Sequence, residues 1–110
     1  MGSCGVSALQ IAAADGHVAV VQSLLAAGAA VNATWDGGAT ALLLTAQHGH
    51  LDVCKALILA GADVMCSDVD GLTPLMAAAM SGHEPVAEEL LRHAVEKVAA
   101  RTGRVAPTKQ

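Results

Sequence analysis

Residues Thr40–Val64 read TALLLTAQHGHLDVCKALILAGADV. Two apolar runs are split by Gly49-His50 and closed by Gly61. Thr40 is a natural N-cap, since its hydroxyl can accept from the free N–H groups of a first helical turn. Gly49 suits the left-handed residue that ends a helix, and Gly61 suits the end of a second one. The stretch therefore reads as two short helices joined by a tight turn. It also carries His48, His50 and Cys54, a spacing that raises the question of a metal site.

The same pattern recurs 33 residues away on either side. SALQIAAADGHVAVVQSLLAAGAAV starts at Ser7 and TPLMAAAMSGHEPVAEELLRHAVEK at Thr73. Without gaps, Leu9, Leu42 and Leu75 share a phase, as do Gly16, Gly49 and Gly82, and His17, His50 and His83. Val20, Val53 and Val86 follow, and Leu24-Leu25, Leu57-Ile58 and Leu90-Leu91 close the units. Upstream, Gly5, Gly38 and Gly71 are in phase. Ser7 and Thr73 fall at the N-cap position of Thr40, and Pro74 at a first helical position, where its missing N–H costs nothing. Between units, AAVNATWDGG and ADVMCSDVDG supply turn residues and read as extended hairpin-like loops. A fixed period of this length marks a solenoid of stacked helix pairs.

The pattern resembles the ankyrin repeat, whose period is 33 and whose signature includes T-P-L-H-x-A. Thr73-Pro74-Leu75-Met76-Ala77-Ala78 is the nearest copy, with Met76 in the place of the family's His; Gln10 and Leu43 hold that place in the other units. The resemblance implies an all-α ankyrin-repeat solenoid of three helix-turn-helix repeats joined by β-hairpin-like loops. It would occupy residues 1–103, with repeats at about 2–34, 35–67 and 68–101, and leave a flexible tail at 104–110.

Composition agrees with small side chains packed between helices. Hydrophobic residues make up 54% of the 110, but aromatics only 1%. The net charge of -4, without a basic cluster before the last ten residues, argues against a nucleic-acid partner. No apolar run reaches the roughly 18 residues of a membrane helix. Three cysteines without paired spacing point to a reducing, intracellular setting, cytoplasmic or nuclear.

The repeat frame answers the metal question. His17, His50 and His83 would stand roughly 8–10 Å apart on stacked helices, too far to share an ion whose ligand nitrogens lie roughly 2.0–2.1 Å from it. A repeated His after a helix-ending Gly is expected to hydrogen-bond local backbone. Cys54, in phase with Val21 and Ala87, is expected to be a small buried hydrophobe pointing away from His48. No metal and no cofactor is expected. Catalysis is not expected either: no GxxxxGK loop is present, and adjacent Glu88 and Glu89 project about 100° apart on a helix. Glu88 and Arg92 are spaced for an i,i+4 ion pair.

Ankyrin-type proteins generally bind other proteins through loop tips and the exposed face of the first helices. By register the resemblance assigns that role to Trp35, Asp36, Gly37, Ala39, Gln47 and His48 in the second unit. In the third it assigns Val69, Asp70, Leu72, Met80 and Ser81, and in the first Ser3, Cys4, Val6, Ala14 and Asp15. Trp35, His48, Leu72 and Met80 are the bulky, non-repeated members and are expected to bracket the contact surface. Trp35 can equally cover the seam between two Ala-rich repeats. Asn32, after Val31 and eight residues beyond Leu24, matches the family's asparagine-hydroxylation context, with Ala30 in place of the usual acid. The same Asn also suits a turn.

The expected function is a protein–protein interaction module. The alternative is a structural spacer, or the end of a longer array, with no partner in the groove. The C-terminal helix, with Glu88, Glu89, Arg92, Glu96, Lys97 and Arg101, reads as a polar cap. The first unit, with Ile11, Ala12 and Val18 expected at its surface, does not. Its N-terminal face is expected to take upstream repeats or a second copy; the rival expectation is a stand-alone domain of marginal stability.

Overall fold

The structure, a computed structural model, describes residues 3–34 and 36–102, and the side chains of 8–34 and 37–99. Trp35 and the expected tail at 104–110 lie outside the described residues. Among those described, six α-helices form three antiparallel pairs: α1 (Ser3–Asp15) with α2 (Val18–Ala26), α3 (Ala41–His48) with α4 (Leu51–Leu59), and α5 (Pro74–Met80) with α6 (Glu84–Thr102). α1, α3 and α5 stack as one layer and α2, α4 and α6 as the other. No sheet forms among the described residues.

The local signals work as the residue types dictate. Thr40 and Thr73 are extended N-caps whose side chains accept from Leu43 N and Met76 N. Gly16, Gly49 and Gly82 all adopt a φ of 76–78°, which a residue without Cβ reaches cheaply. After α2, Ala29 N donates to Leu24 O and Gly28 N to Leu25 O; Ala62 and Gly61 repeat the pair after α4. These are Schellman closures of the helix ends.

The first unit departs from its phase. α1 begins at Ser3, so Ser7 lies inside the helix and is not its cap. The caps at Thr40 and Thr73 follow loops that are tied to each other, Val69 N donating to Gly37 O at 3.0 Å. No such loop precedes Ser7 among the described residues, and the helix runs on upstream. Ala12, expected at the surface, is buried. It lies on the same stripe as Leu9 and Ala13, three and four residues apart, which faces the core.

The core is aliphatic. Leu9, Leu42, Leu57 and Leu90 are fully buried, with Val21, Val53, Val86 and Cys54 between them. Burial pushes the Cys54 thiol up to about 12, with a smaller contribution from Glu89. Gln10, in the place of the signature His, is 1% exposed. Its Nε2 donates to Ala33 O and Ala39 O at 3.3 and 3.2 Å, so one amide ties α1 to both ends of the following loop.

Candidate functional site

The candidate surface is built on two loops and the ends of two helices. In the third unit Asp68 shapes the loop: its Oδ1 accepts from Asp70 N and Leu72 N, both at 2.9 Å. Asp68 N donates to Leu72 O, closing a turn that lifts Val69 and Asp70 to its tip. Val69 is 78% exposed although it is apolar. In the second unit a 3-10 turn at Asp36–Gly38 lies alongside. Gly38 lets the two loops approach, since a Cβ there would stand 3.2 Å from Asp68 Cα and Val69 N. The tips are therefore one hydrogen-bonded surface and not two independent loops.

The helix ends supply the rest. Gln47 and His48 at the end of α3, and Met80 and Ser81 at the end of α5, are exposed, Met80 at 78%. His48 Nδ1 donates to Leu44 O at 2.9 Å, which leaves its Nε2 as the free edge of the ring. The ring lies parallel to that of His50, with centroids 6.2 Å apart. Not every expected residue is presented. Leu72 and Ala39 are partly buried and pack against the core, so they support the loops from beneath. Asp36 lies in the 3-10 turn; its side chain, like those of Ser3, Cys4 and Val6, lies outside the described ones.

His50 and His83 play a different part from the local one expected of them. His50 Nε2 donates to Ala14 O at 2.9 Å and His83 Nε2 to Gln47 O at 3.1 Å. Each reaches back 36 residues, into the preceding unit, and lies over that unit's turn glycine. A Cβ on Gly16 would stand 2.6 Å from His50 Nδ1, and one on Gly49 would stand 2.5 Å from His83 Nδ1. The histidines are thus inter-repeat clamps. The period shows that these residues are equivalent but not what lies opposite them. Asn32 also crosses units: Nδ2 donates to Gly61 O at 3.1 Å, and Oδ1 accepts from Asp63 N at 2.6 Å.

The charged face of α6 differs in detail from its sequence reading. Arg92 pairs with Glu89, one residue closer than Glu88, and His93 Nε2 lies 3.0 Å from the other Glu89 oxygen. Burial alone would raise the Glu89 carboxyl, but hydrogen bonds from His93 and Arg92, with the Arg92 and His93 charges, hold it below its ordinary 4.5. Glu89 is the better partner because its side chain is largely shielded, and its lone pairs need donors there. Among the described residues no group of three or more His, Cys, Asp or Glu side chains could hold a metal. No helix among them is long and apolar enough to cross a membrane.

No curated protein matches the chain. Family models do: one described as ankyrin repeats matches residues 2–68, the first two units, and one described as an ankyrin repeat matches 70–103, the third. Both are repeats of a kind that is typically non-catalytic and generally mediates protein interaction. The 33-residue phase, the paired helices and these matches agree, and the chain belongs to the ankyrin repeat family.

Proposed function

We propose that this chain is a protein-recognition module whose contact surface comprises the tips of the two tied loops and the exposed ends of α3 and α5. One observation carries the reading: Val69 and Met80, both apolar and both 78% exposed, project from backbone that is already fixed. Exposed apolar anchors on rigid supports lower the ordering cost of association. Gln47, His48, Asp70 and Ser81 add polar groups among them, the mixture of apolar centre and polar rim that interfaces use. Family membership supports a protein as the partner class.

The test is a paired capture from the source cell's lysate. One bait is the natural chain, and the other carries V69K, H48S and M80K. All three positions are exposed, so the fold should survive, as circular dichroism would verify. A protein held by the first bait and lost by the second supports the reading. Identical capture by both baits favours a spacer whose groove contacts nothing.

A further inference from the structure

Equivalent positions in the three units are not equally covered, and the differences fall at the two ends. Val53 and Val86 are 0% and 1% exposed, whereas Val20, in phase with them, is 49% exposed. Ala41 and Pro74 are buried and Ala8 is exposed; Ala77 is buried and Ile11 is 54% exposed. His50 and His83 each clamp a preceding carbonyl, while among the described residues His17 reaches only Asp15, at 4.0 Å. Ala8, Ile11, His17 and Val20 therefore form one stacking face without a neighbour among the described residues.

The other end shows the complementary deficit. Gln10 and Leu43 are 1% and 3% exposed, but Met76, in phase with them, is 48% exposed. Ala13 and Ala46 are buried and Ala79 is exposed. Gly16 and Gly49 lie under histidine rings, whereas a Cβ on Gly82 would meet nothing within 4 Å. Met80 carries the carbonyl in register with those of Ala14 and Gln47. Leu91 and Val95 lie half exposed on α6 where Leu25, Ile58, Ala29 and Ala62 are partly covered. The C-terminal helix is thus not the uniformly polar cap its charges suggest; the charged residues and the apolar ones occupy different positions around it.

We propose that this chain associates head to tail with a second copy of itself, the face around Ile11, His17 and Val20 stacking on the face around Met76, Gly82 and Leu91 of the next copy. The contact continues the interface already built twice inside the chain. His17 would lie over Gly82 and donate to the Met80 carbonyl, as His50 does over Gly16 and His83 over Gly49. Both faces are apolar and of one repeat's width, and the donor missing an acceptor at one end matches the uncovered glycine at the other. The two faces are different surfaces, so the contact is heterologous and does not close at two copies.

Analytical ultracentrifugation of the natural chain between about 1 μM and about 1 mM tests this. The average mass is expected to rise from 11.0 kDa past twice that value without a plateau. V20E leaves the C-terminal face intact, and L91E leaves the N-terminal face intact. Each alone should stay at the mass of one chain, and an equimolar mixture should give a species of two. Val20 and Leu91 are both half exposed, so neither change touches the core, which cooperative urea unfolding of each variant would verify. H17A should weaken association about fivefold, the effect of one lost hydrogen bond. Mass fixed at one chain at every concentration overturns the proposal. So does a plateau at two copies, association of either variant alone, or failure of the mixture to pair. Association unchanged in H17A overturns the role assigned to His17.

Discussion

The imidazole of His83 fills the space in which Gly49 has no side chain, 2.5 Å from where a Cβ would stand. Gly49 is thus required twice: by its φ of 77°, and by the ring of the next unit. Gly82, at a φ of 76°, is required only by its backbone. G82A should cost about 1 kcal/mol, the ordinary strain of a left-handed residue with a Cβ. G49A should cost about 3 kcal/mol, since the ring must also leave its carbonyl. Urea midpoints of the two variants give the difference.

The clamp and the glycine are one unit, so their mutations should not add. H83A alone removes a hydrogen bond and should cost about 1 kcal/mol. In the double variant G49A/H83A the collision is gone, leaving the backbone strain and the lost hydrogen bond, and its destabilisation should fall short of the sum by about 2 kcal/mol. Strict additivity in the double-mutant cycle would show that the ring tolerates the added methyl.

Much of this was legible before the fold was known, and the reason is local. Thr40, Thr73, Gly16, Gly28 and Gly61 act within their own turn, where residue type dictates geometry. What lies across a gap of more than 30 residues was not legible. The period groups His50 with His83 without showing that both reach backward, and nothing in it shows Gln10 spanning Ala33 and Ala39. Position in the stack defeats phase in the same way: Val20 and Val53 are one letter at one register, and among the described residues only Val53 has a unit before it. Of the candidate surface, Val69, Gln47, His48, Met80 and Ser81 stand outward as register implies, while Leu72 turns inward because the Asp68 turn pulls its N–H back.

Asn32 should contribute more than an exposed side chain usually does, because both ends of its amide bind the second unit. N32A should lower stability by about 1–2 kcal/mol, the value of two partly solvated hydrogen bonds. Amide exchange at Asp63, read by NMR, should accelerate along with it. An unchanged Asp63 rate would mean that solvent replaces the side chain without loss.

Glu89 should give the fold an acid-labile component. Its carboxyl is depressed in the folded state, so in the acid range the unfolded chain binds the proton first. The associated stability is complete above the ordinary value of 4.5 and is lost as pH falls through the lower, folded value. E89Q should therefore flatten the fall of the urea midpoint below about pH 4.5. An identical acid slope in the two proteins would show that the Arg92 and His93 contacts persist after protonation.

The two described cysteines should separate by reagent. Cys54 is fully buried with its thiol pushed up to about 12, and Cys66 is partly exposed beside Thr40. At pH 8 iodoacetamide should label Cys66 in the folded protein and Cys54 only as fast as the chain unfolds. Peptide mass mapping distinguishes the two, and rapid labelling of Cys54 would reveal local opening of α4.

Each histidine clamp points toward the N-terminus, and this gives the chain a direction in time. A ribosome delivers Ala14 and Gly16 long before His50, and Gln47 and Gly49 long before His83. The second and third helix pairs therefore each emerge onto a finished platform, with its carbonyl placed and its glycine bare. Among the described units, the second and third are templated in this way, each by the pair before it. A slow codon or a helix-weakening change in α1 or α2 therefore delays both later pairs, while the same change in α5 delays α5 and α6 alone.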